Sequence, residues 1–307
     1  MSSPLSAPHF YNEEAAYAFV EARVWPEGPI FSHCGGYERI GKMGGKSTRM
    51  GAYKCYQCRK PFTVKIGTIF EASHVALHLW LQAMYLMCAS KKGISSNQLH
   101  RTLGVTLKTA WFMSHRIREA MRSGDFAPFG QDGGFVEVDE TYIGRDKSKP
   151  VKAGYEHKYK VLALLDRDTG RTRMMHVDKV TVACVTPILV ANIAAEANLL
   201  TDDAGQYRHM HRHFASHATT AHTKGNYVDR ADSRIHTNTV EGSFSIFKRG
   251  MKGVYQHCSG KHLHRYLAEF QFRYSNRVAL GVNDTDRTVT ALLGVVGKRL
   301  TYQTTAR

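Results

Sequence analysis

A carboxylate and an ammonium stand seven residues apart in the stretch Thr237-Asn238-Thr239-Val240-Glu241-Gly242-Ser243-Phe244-Ser245-Ile246-Phe247-Lys248-Arg249. The stretch reads as a helix. Seven residues make about two turns, so Glu241 and Lys248 share one face, and Asn238 lies one turn earlier on much the same face. A carboxylate can hold a divalent cation, and a cation two turns on can hold a phosphate, with Arg249 beside it. Glu and Lys at this spacing also decorate many solvated helices, so the pair gains meaning only with further acids. Asp139 and Asp202 are the two that matter. Phosphodiester hydrolysis and transesterification are in-line displacements on an anionic centre. Two divalent ions roughly 3.5–4 Å apart can stabilise the attacking and the leaving oxygen together. Magnesium asks for hard oxygen ligands. Asp139 and Asp202 would be the shared ligands, Glu241 or Asn238 the third, and Lys248 would hold a phosphate near the reacting bond.

The elements that must position these residues can be read from pattern. Phe135-Val136-Glu137-Val138-Asp139-Glu140 alternates as a strand and places Asp139 at its end. A second strand, 159–165, turns through Asp166-Arg167-Asp168-Thr169-Gly170 into a third, 171–177. Residues 181–197 read as a long Ala/Val-rich helix, and Asn198-Leu199-Leu200-Thr201-Asp202-Asp203 as a short buried strand ending in acid, with Asp203 the fallback for Asp202. Strand, hairpin, helix, strand is the order of a ribonuclease H-like α/β core. A right-handed crossover would bring the strand ending at Asp202 beside the one ending at Asp139.

Upstream, residues 9–24 read as a short helix with Phe10, Ala15, Ala16, Phe19 and Val20 on its apolar side. Cys55 and Cys58 form a Cys-x-x-Cys knuckle of the kind that chelates zinc in small β-rich ribbons. The expected second pair is incomplete, because Phe31 stands three residues before Cys34. Two readings stay open: structural Zn²⁺ held by Cys34, Cys55, Cys58 and the awkwardly adjacent His33, or a metal-free hairpin packed around Phe31, Tyr53 and Phe62. An apolar helix over 74–90 follows. Then Ser95 caps a helix that Gly104 ends, and a basic helix runs from Thr106 to about Arg122. Helix, glycine turn and basic helix make a helix-turn-helix candidate in which Lys108, His115, Arg116 and Arg118 would meet DNA. The expected division is 1–72 for the N-terminal helix and ribbon-like module, 73–125 for the helix-turn-helix, 130–290 for the catalytic domain and 291–307 for a frayed basic tail.

Composition points the same way. The 307 residues are 43% hydrophobic and carry 42 Lys and Arg against 26 acids, a formal charge of +16. Such a surplus favours a polyanionic partner, with nucleic acid the default. No apolar run reaches the roughly 18 residues of a membrane span, and the N-terminus lacks the pattern of a secretory signal. Of six cysteines, three cluster and three scatter. That suits a metal site and reduced thiols in the cytoplasm better than a disulfide framework. The His-rich run 208–217, with His222, reads as a DNA-backbone loop or a second metal site. A C-terminal helix over 259–277 has Leu263, Tyr266, Leu267, Phe270 and Phe272 as core, with Arg265, Arg273 and Arg277 able to reach DNA.

Taken together, the chain resembles bacterial insertion-sequence transposases that carry an N-terminal zinc ribbon and a ribonuclease H-like integrase domain with an Asp-Asp-Glu or Asp-Asp-Asn triad and a following lysine. The matching segments are Cys34-Gly35, Tyr53 to Phe62, Gly67 to Phe70, Thr109 to Trp111, Arg116 to Met121, Val138 to Gly144, Thr201 to Asp203 with Tyr207, His236 to Gly242 with Lys248 to Gly250, and Arg265 to Phe270 with Phe272 to Arg277. They cover about residues 10–280, and the groups at Val138 and His236 are the most specific. The resemblance implies Asp139 and Asp202 as the first two acids, Glu241 or Asn238 as the third, and Lys248 as the trailing lysine. It implies Mg²⁺ or Mn²⁺, binding of double-stranded DNA at the element's terminal inverted repeats through residues 1–125, release of 3′-hydroxyls, their joining to target DNA, and a homo-oligomer that handles two ends together. No covalent protein–DNA intermediate is implied, so Tyr142 and Tyr207 are not expected to be nucleophiles. Two rivals remain: an inactive sequence-specific DNA-binding regulator, and a ribonuclease H-like nuclease that cuts without joining.

Overall fold

A computed structural model describes residues 3–122, 124, 127–151, 154–220, 228–229 and 231–300. The chain divides into two units, one of residues 1–122 with 282–307 and one of residues 123–281.

In the first unit the N-terminal helix α1 (Glu13–Val24) is capped by the Asn12 side chain and buries Ala16, Tyr17 and Val20. A three-stranded antiparallel sheet follows, β1 (Ile40–Lys42), β2 (Tyr53–Cys55) and β3 (Pro61–Phe62). Its small core is Phe31, Cys55 and Phe62, with the Phe31 and Phe62 rings stacked at 4.5 Å. Helix α2 (Leu77–Ala89) is apolar and buried through Leu77, Trp80, Leu81, Met84 and Met87. Helices α3 (Ser96–Leu103) and α4 (Leu107–Ala120) follow the local signals closely. Ser95 Oγ accepts the Gln98 amide at 3.1 Å, Gly104 takes the left-handed conformation (φ 67°), and Thr106 Oγ1 accepts the Thr109 amide at 3.1 Å.

The division differs from the expected one at the C-terminal side. Helix α8 (Asp284–Leu293) does not belong with the catalytic domain but packs in the first unit, where Arg287 Nη1 donates to Cys88 O at 2.9 Å. Residues 294–300 are not frayed either. Val295 is buried and its carbonyl accepts the Ile69 amide at 3.2 Å, while the Gly297 amide donates to Gly67 O at 2.8 Å. Gly294 is required where α8 ends, because a Cβ there would lie 2.2 Å from Ala120 O. The expected modules 1–72 and 73–125 are therefore parts of one unit that residues 282–300 complete.

The second unit is a five-stranded sheet of order β6-β5-β4-β7-β8. Its strands are β4 (Phe135–Ile143), β5 (Tyr159–Asp166), β6 (Thr172–Val177), β7 (Asn198–Asp202) and β8 (Ser216–Thr220). The first three pair antiparallel as a meander, and β7 and β8 join parallel. Between β6 and β7 runs α5 (Val182–Asn192), shorter than the expected 181–197. The helix stops because Ile193 bridges to Phe129 and the Ala194 amide donates to Phe129 O. One sheet face buries Val136, Val138, Leu162, Leu164 and Leu199 against Val185 and Leu189 of α5. The other buries Val161, Ala163 and Leu165 against α6 (Asn238–Gly250) and α7 (Gly260–Ser275) through Val240, Phe244, Phe247, Leu267 and Phe270. This mixed sheet between helical layers is a ribonuclease H-like fold. No described helix is long and apolar enough to cross a membrane.

Candidate active site

Strand β4 is nine residues long, so Asp139 sits inside it rather than at its end. The extension follows from Thr141, Tyr142 and Ile143, which continue the pairing with β5. What ends near Asp139 is the parallel partner. Phe135, Val136 and Glu137 pair with Asn198, Leu199 and Leu200, and the same register two residues on sets Asp139 opposite Asp202, the last residue of β7. Alternation then puts both carboxylates on the face that carries α6. Asp202 is half-buried and accepts the Ala204 amide at 3.2 Å, whereas Asp203 is exposed.

Helix α6 brings the third acid. Glu241 is half-buried and accepts the Thr237 hydroxyl at 3.1 Å. Asn238, the first helical residue, is exposed. Burial raises the Asp139 carboxyl to about 8, and the Glu140, Asp202 and Glu241 charges push the same way, against a backbone hydrogen bond from Glu140 that lowers it. Asp139 thus feels the charges of Asp202 and of Glu241, which lies two turns before exposed Lys248. The exposed Arg249 guanidinium is turned back onto Ser245 O and Oγ.

Two neighbouring groups were not foreseen. Glu140 points to the opposite face, where Tyr207 Oη donates to Oε2 at 2.6 Å and Gln206 Nε2 to Oε1 at 2.9 Å. Burial raises its carboxyl, with Tyr207 opposing and the Asp202 charge adding to the rise. Its adjacency to Asp139 was visible, but not the partners 66 and 67 residues away. The second group holds α6 in place. Glu137, fully buried, receives Arg167 Nε at 2.6 Å on Oε1 and the Val240 amide at 2.8 Å on Oε2. Thr237 offers α6 no side-chain cap, so a strand carboxylate does that work at the helix's positive end. Arg167 Nη2 also donates to His236 Nδ1 at 2.7 Å and His236 O at 2.8 Å. Burial lowers the imidazole's proton affinity and the Arg167 charge lowers it further. His236 is therefore neutral with Nδ1 as acceptor, and its 3.5 Å approach to Glu137 is no ion pair.

The cysteine knuckle assembles as expected. Among the described residues, Cys34, Cys55 and Cys58 are the one group of three whose ligand atoms lie within 4.8 Å of one another, and the three carboxylates are more widely spread. Backbone amides of Cys58 and Gln57 aim at the Cys55 sulfur and lower its proton affinity, which suits a thiolate ligand. His33 does not join, because its Nε2 meets Lys60 Nζ at 2.8 Å. Phe31, where a fourth cysteine would stand, is core.

Three of the four residues assigned to DNA in the helix-turn-helix are interior. His115 and Arg118 are fully buried and Arg116 nearly so. Arg116 donates to Ile69 O at 2.6 Å, Glu71 O at 2.7 Å and Leu300 O at 3.1 Å, Arg118 Nη1 to Ser114 Oγ at 3.1 Å, and His115 packs edge-on to Trp111. Lys108 alone is exposed, at the start of α4, with Arg101 exposed on α3. Arg273 likewise is buried, in a pair with Glu269. The described part of the His-rich run gathers no metal group, with His217 Nε2 on Thr201 Oγ1 at 2.9 Å, and His222 lies outside the described residues.

Comparison with known proteins adds three findings. Residues 132–275 match the ISXO2-like transposase domain model. An uncharacterized protein in transposable element ISH50 of Halobacterium salinarum is 28% identical over 237 residues, covering 72% of this chain and 77% of that protein. A chain in a simian T-cell lymphotropic virus intasome structure, in complex with the PP2A regulatory subunit B56 gamma, aligns with 56% of this chain and 63% of its own length, at 14% identity and TM-score 0.29. The matched segment holds Asp139, Asp202, Glu241 and Lys248 within the second unit, so the part of the chain that is similar to ISXO2-like transposase domains is the part that carries the candidate acids.

Proposed function

We propose that the chain is a DNA transposase that cuts the ends of an insertion sequence and joins them to target DNA. The observation that carries this reading is the β4–β7 register, which sets Asp139 opposite Asp202 under the helix that bears Glu241. Asp139, with the Asp202 and Glu241 charges raising its proton affinity, forms with them a hard-oxygen site that a divalent cation would stabilise, so the residues fit Mg²⁺ or Mn²⁺. The cation, when bound by Asp139, Asp202 and Glu241, polarises the phosphodiester and offsets charge on the entering and leaving oxygens. Glu241 is the third ligand in preference to Asn238, because it is a half-buried carboxylate whose charge reaches Asp139, whereas Asn238 is exposed. Lys248 holds a neighbouring phosphate. In cleavage, water forms a P–O bond, the bond to the 3′ oxygen breaks, and a proton passes to that oxygen. In joining, the freed 3′-hydroxyl attacks a target phosphodiester and displaces that strand's 3′ oxygen. Each step exchanges one P–O bond for another, so neither needs an energy source or a protein nucleophile. Two ends are handled together by a homo-oligomer.

The test incubates purified protein with a labelled duplex carrying the element's end, in Mg²⁺ or EDTA. Magnesium-dependent cleavage with joined products supports the reading. Cleavage without joining identifies a nuclease, and tight binding with no cleavage under any metal identifies a regulator.

Duplex binding falls to the first unit. Lys108→Ala should weaken it across sequences and lower the slope of log affinity against log salt by about 1, as loss of one phosphate contact does. Arg116→Ala should instead lower the melting temperature, since it strips three carbonyls of their donor. Equal salt slopes for wild type and Lys108→Ala would remove Lys108 from the DNA surface. The three thiols would hold a structural zinc. Protein purified without chelator should contain about one zinc per chain, and Cys55→Ser should lose it, as elemental analysis will read.

A further inference from the structure

The second unit carries a groove of about 540 Å³ whose lining includes Glu140, the residue after Asp139 in β4, and Lys248 of α6. Its volume falls within the roughly 300–1,000 Å³ of small-molecule sites. One wall is aromatic. Tyr142 and Tyr155 stack with ring centres 4.8 Å apart and planes at 24°, and Tyr155 is 57% exposed. The rest of the rim is basic. Lys158 Nζ stands 4.8 Å from the centre of the Tyr155 ring, and Lys248 and Lys252, four residues apart, line the groove from α6 and the π-turn (Met251–Tyr255) that prolongs it.

Exposed aromatic faces among lysines are the chemistry of single-stranded nucleic acid, where bases stack on rings and ammonium groups follow the phosphates. A paired base has both faces covered by its neighbours, so it has none to offer Tyr155. We propose that this groove holds an unpaired nucleotide of the DNA strand next to the cleaved phosphodiester, its base against Tyr155 and its phosphates among Lys158, Lys248 and Lys252. The identity of that strand rests on the transposase reading; the existence of the slot does not. Unstacking one nucleotide there would separate the strand to be cut from its complement and fix the register of the reacting phosphate relative to Asp139.

The test measures binding of full-length protein in EDTA to a labelled oligothymidine of about 12 nucleotides, within the usual span of single-strand sites, and to a duplex of the element's end. Tyr155→Ala should weaken single-strand binding about tenfold, the scale of one lost base stack, and Tyr155→Phe should restore it. Lys252→Gln should lower the single-strand salt slope by about 0.7. Duplex affinity should stay within about twofold for all three, because the first unit supplies it. Wild-type single-strand affinity in Tyr155→Ala, or an equal loss for single strand and duplex, overturns the slot. Tyrosine-dependent single-strand binding in a protein that never cleaves DNA keeps the slot and rejects the transposase reading.

Discussion

Asp139→Asn will abolish strand cleavage and, in metal-free protein, raise the melting temperature. Loss of an outer-shell partner already reduces a metal site's activity by roughly 10–100-fold. Loss of a direct ligand shared by the reacting centre should exceed that. The stability effect has the opposite sign. Asp139 has an ordinary value of 3.8 and is raised to about 8 in the fold, first by burial and then by the Glu140, Asp202 and Glu241 charges. The folded state therefore binds this proton more tightly than the unfolded state, and metal-free stability falls as pH rises from about 4 to 8. An amide never ionises, so it escapes that loss. At about 1.4 kcal/mol per unit, and roughly 2–4 °C per kcal/mol for a unit of this size, the variant should melt about 10–20 °C above wild type at pH 8 and show little difference near pH 4. Protons and the cation compete for the same oxygens, so Mn²⁺ should raise the wild-type melting temperature more at pH 8 than at pH 6 and leave Asp139→Asn nearly unmoved. Calorimetry across pH checks this. A variant that cleaves, or one that melts as wild type does at pH 8, removes Asp139 from the centre.

Glu137→Ala should be the most damaging single change to the second unit's fold. It leaves Arg167, only 16% exposed, without its carboxylate and the Val240 amide without an acceptor. Breaking a buried ion pair from one side costs about 3–5 kcal/mol, so the melting temperature should fall by about 10 °C or more. The double variant Glu137→Leu with Arg167→Met removes both charges, and such apolar exchanges are often near neutral. It should regain much of the lost stability, yet it still lacks the oxygen that fixes the start of α6. Cleavage should therefore stay well below wild type even where melting recovers. Full activity in the stabilised double variant would show that Glu137 serves the fold alone and does not set where Glu241 stands.

Local signals carried the sequence reading furthest. The caps at Ser95, Gly104 and Thr106 lie within four residues of what they cap, and the helices formed where those residues said. Period-2 alternation in Val136 to Asp139 announced the strand, though not its continuation to Ile143, which puts Asp139 inside it rather than at its end. The failures share a different cause. Arg116 and Arg118 look like DNA-reading side chains in any window of sequence, but the carbonyls that take Arg116 come from residues 69, 71 and 300. Charge in a sequence does not say which side of a helix faces inward. The same non-locality hid the Glu137–Arg167 pair, 30 residues apart, and the return of α8 to Cys88, 199 residues away. The knuckle at Cys55 and Cys58 was legible because its spacing is its geometry, whereas the Lys60 ammonium that occupies His33 was not.

The return of residues 282–300 to the first unit also sets an order of events during synthesis. A ribosome delivers residues 1–122 first, but the arginine that reaches Cys88 and the segment that pairs with Gly67 and Ile69 emerge after the whole catalytic unit. A chain interrupted anywhere before residue 282 leaves α2 with an uncovered apolar side. Truncated products should thus be substrates for proteolysis, and the first unit matures only in molecules that have already made the segment carrying Asp139, Asp202 and Glu241.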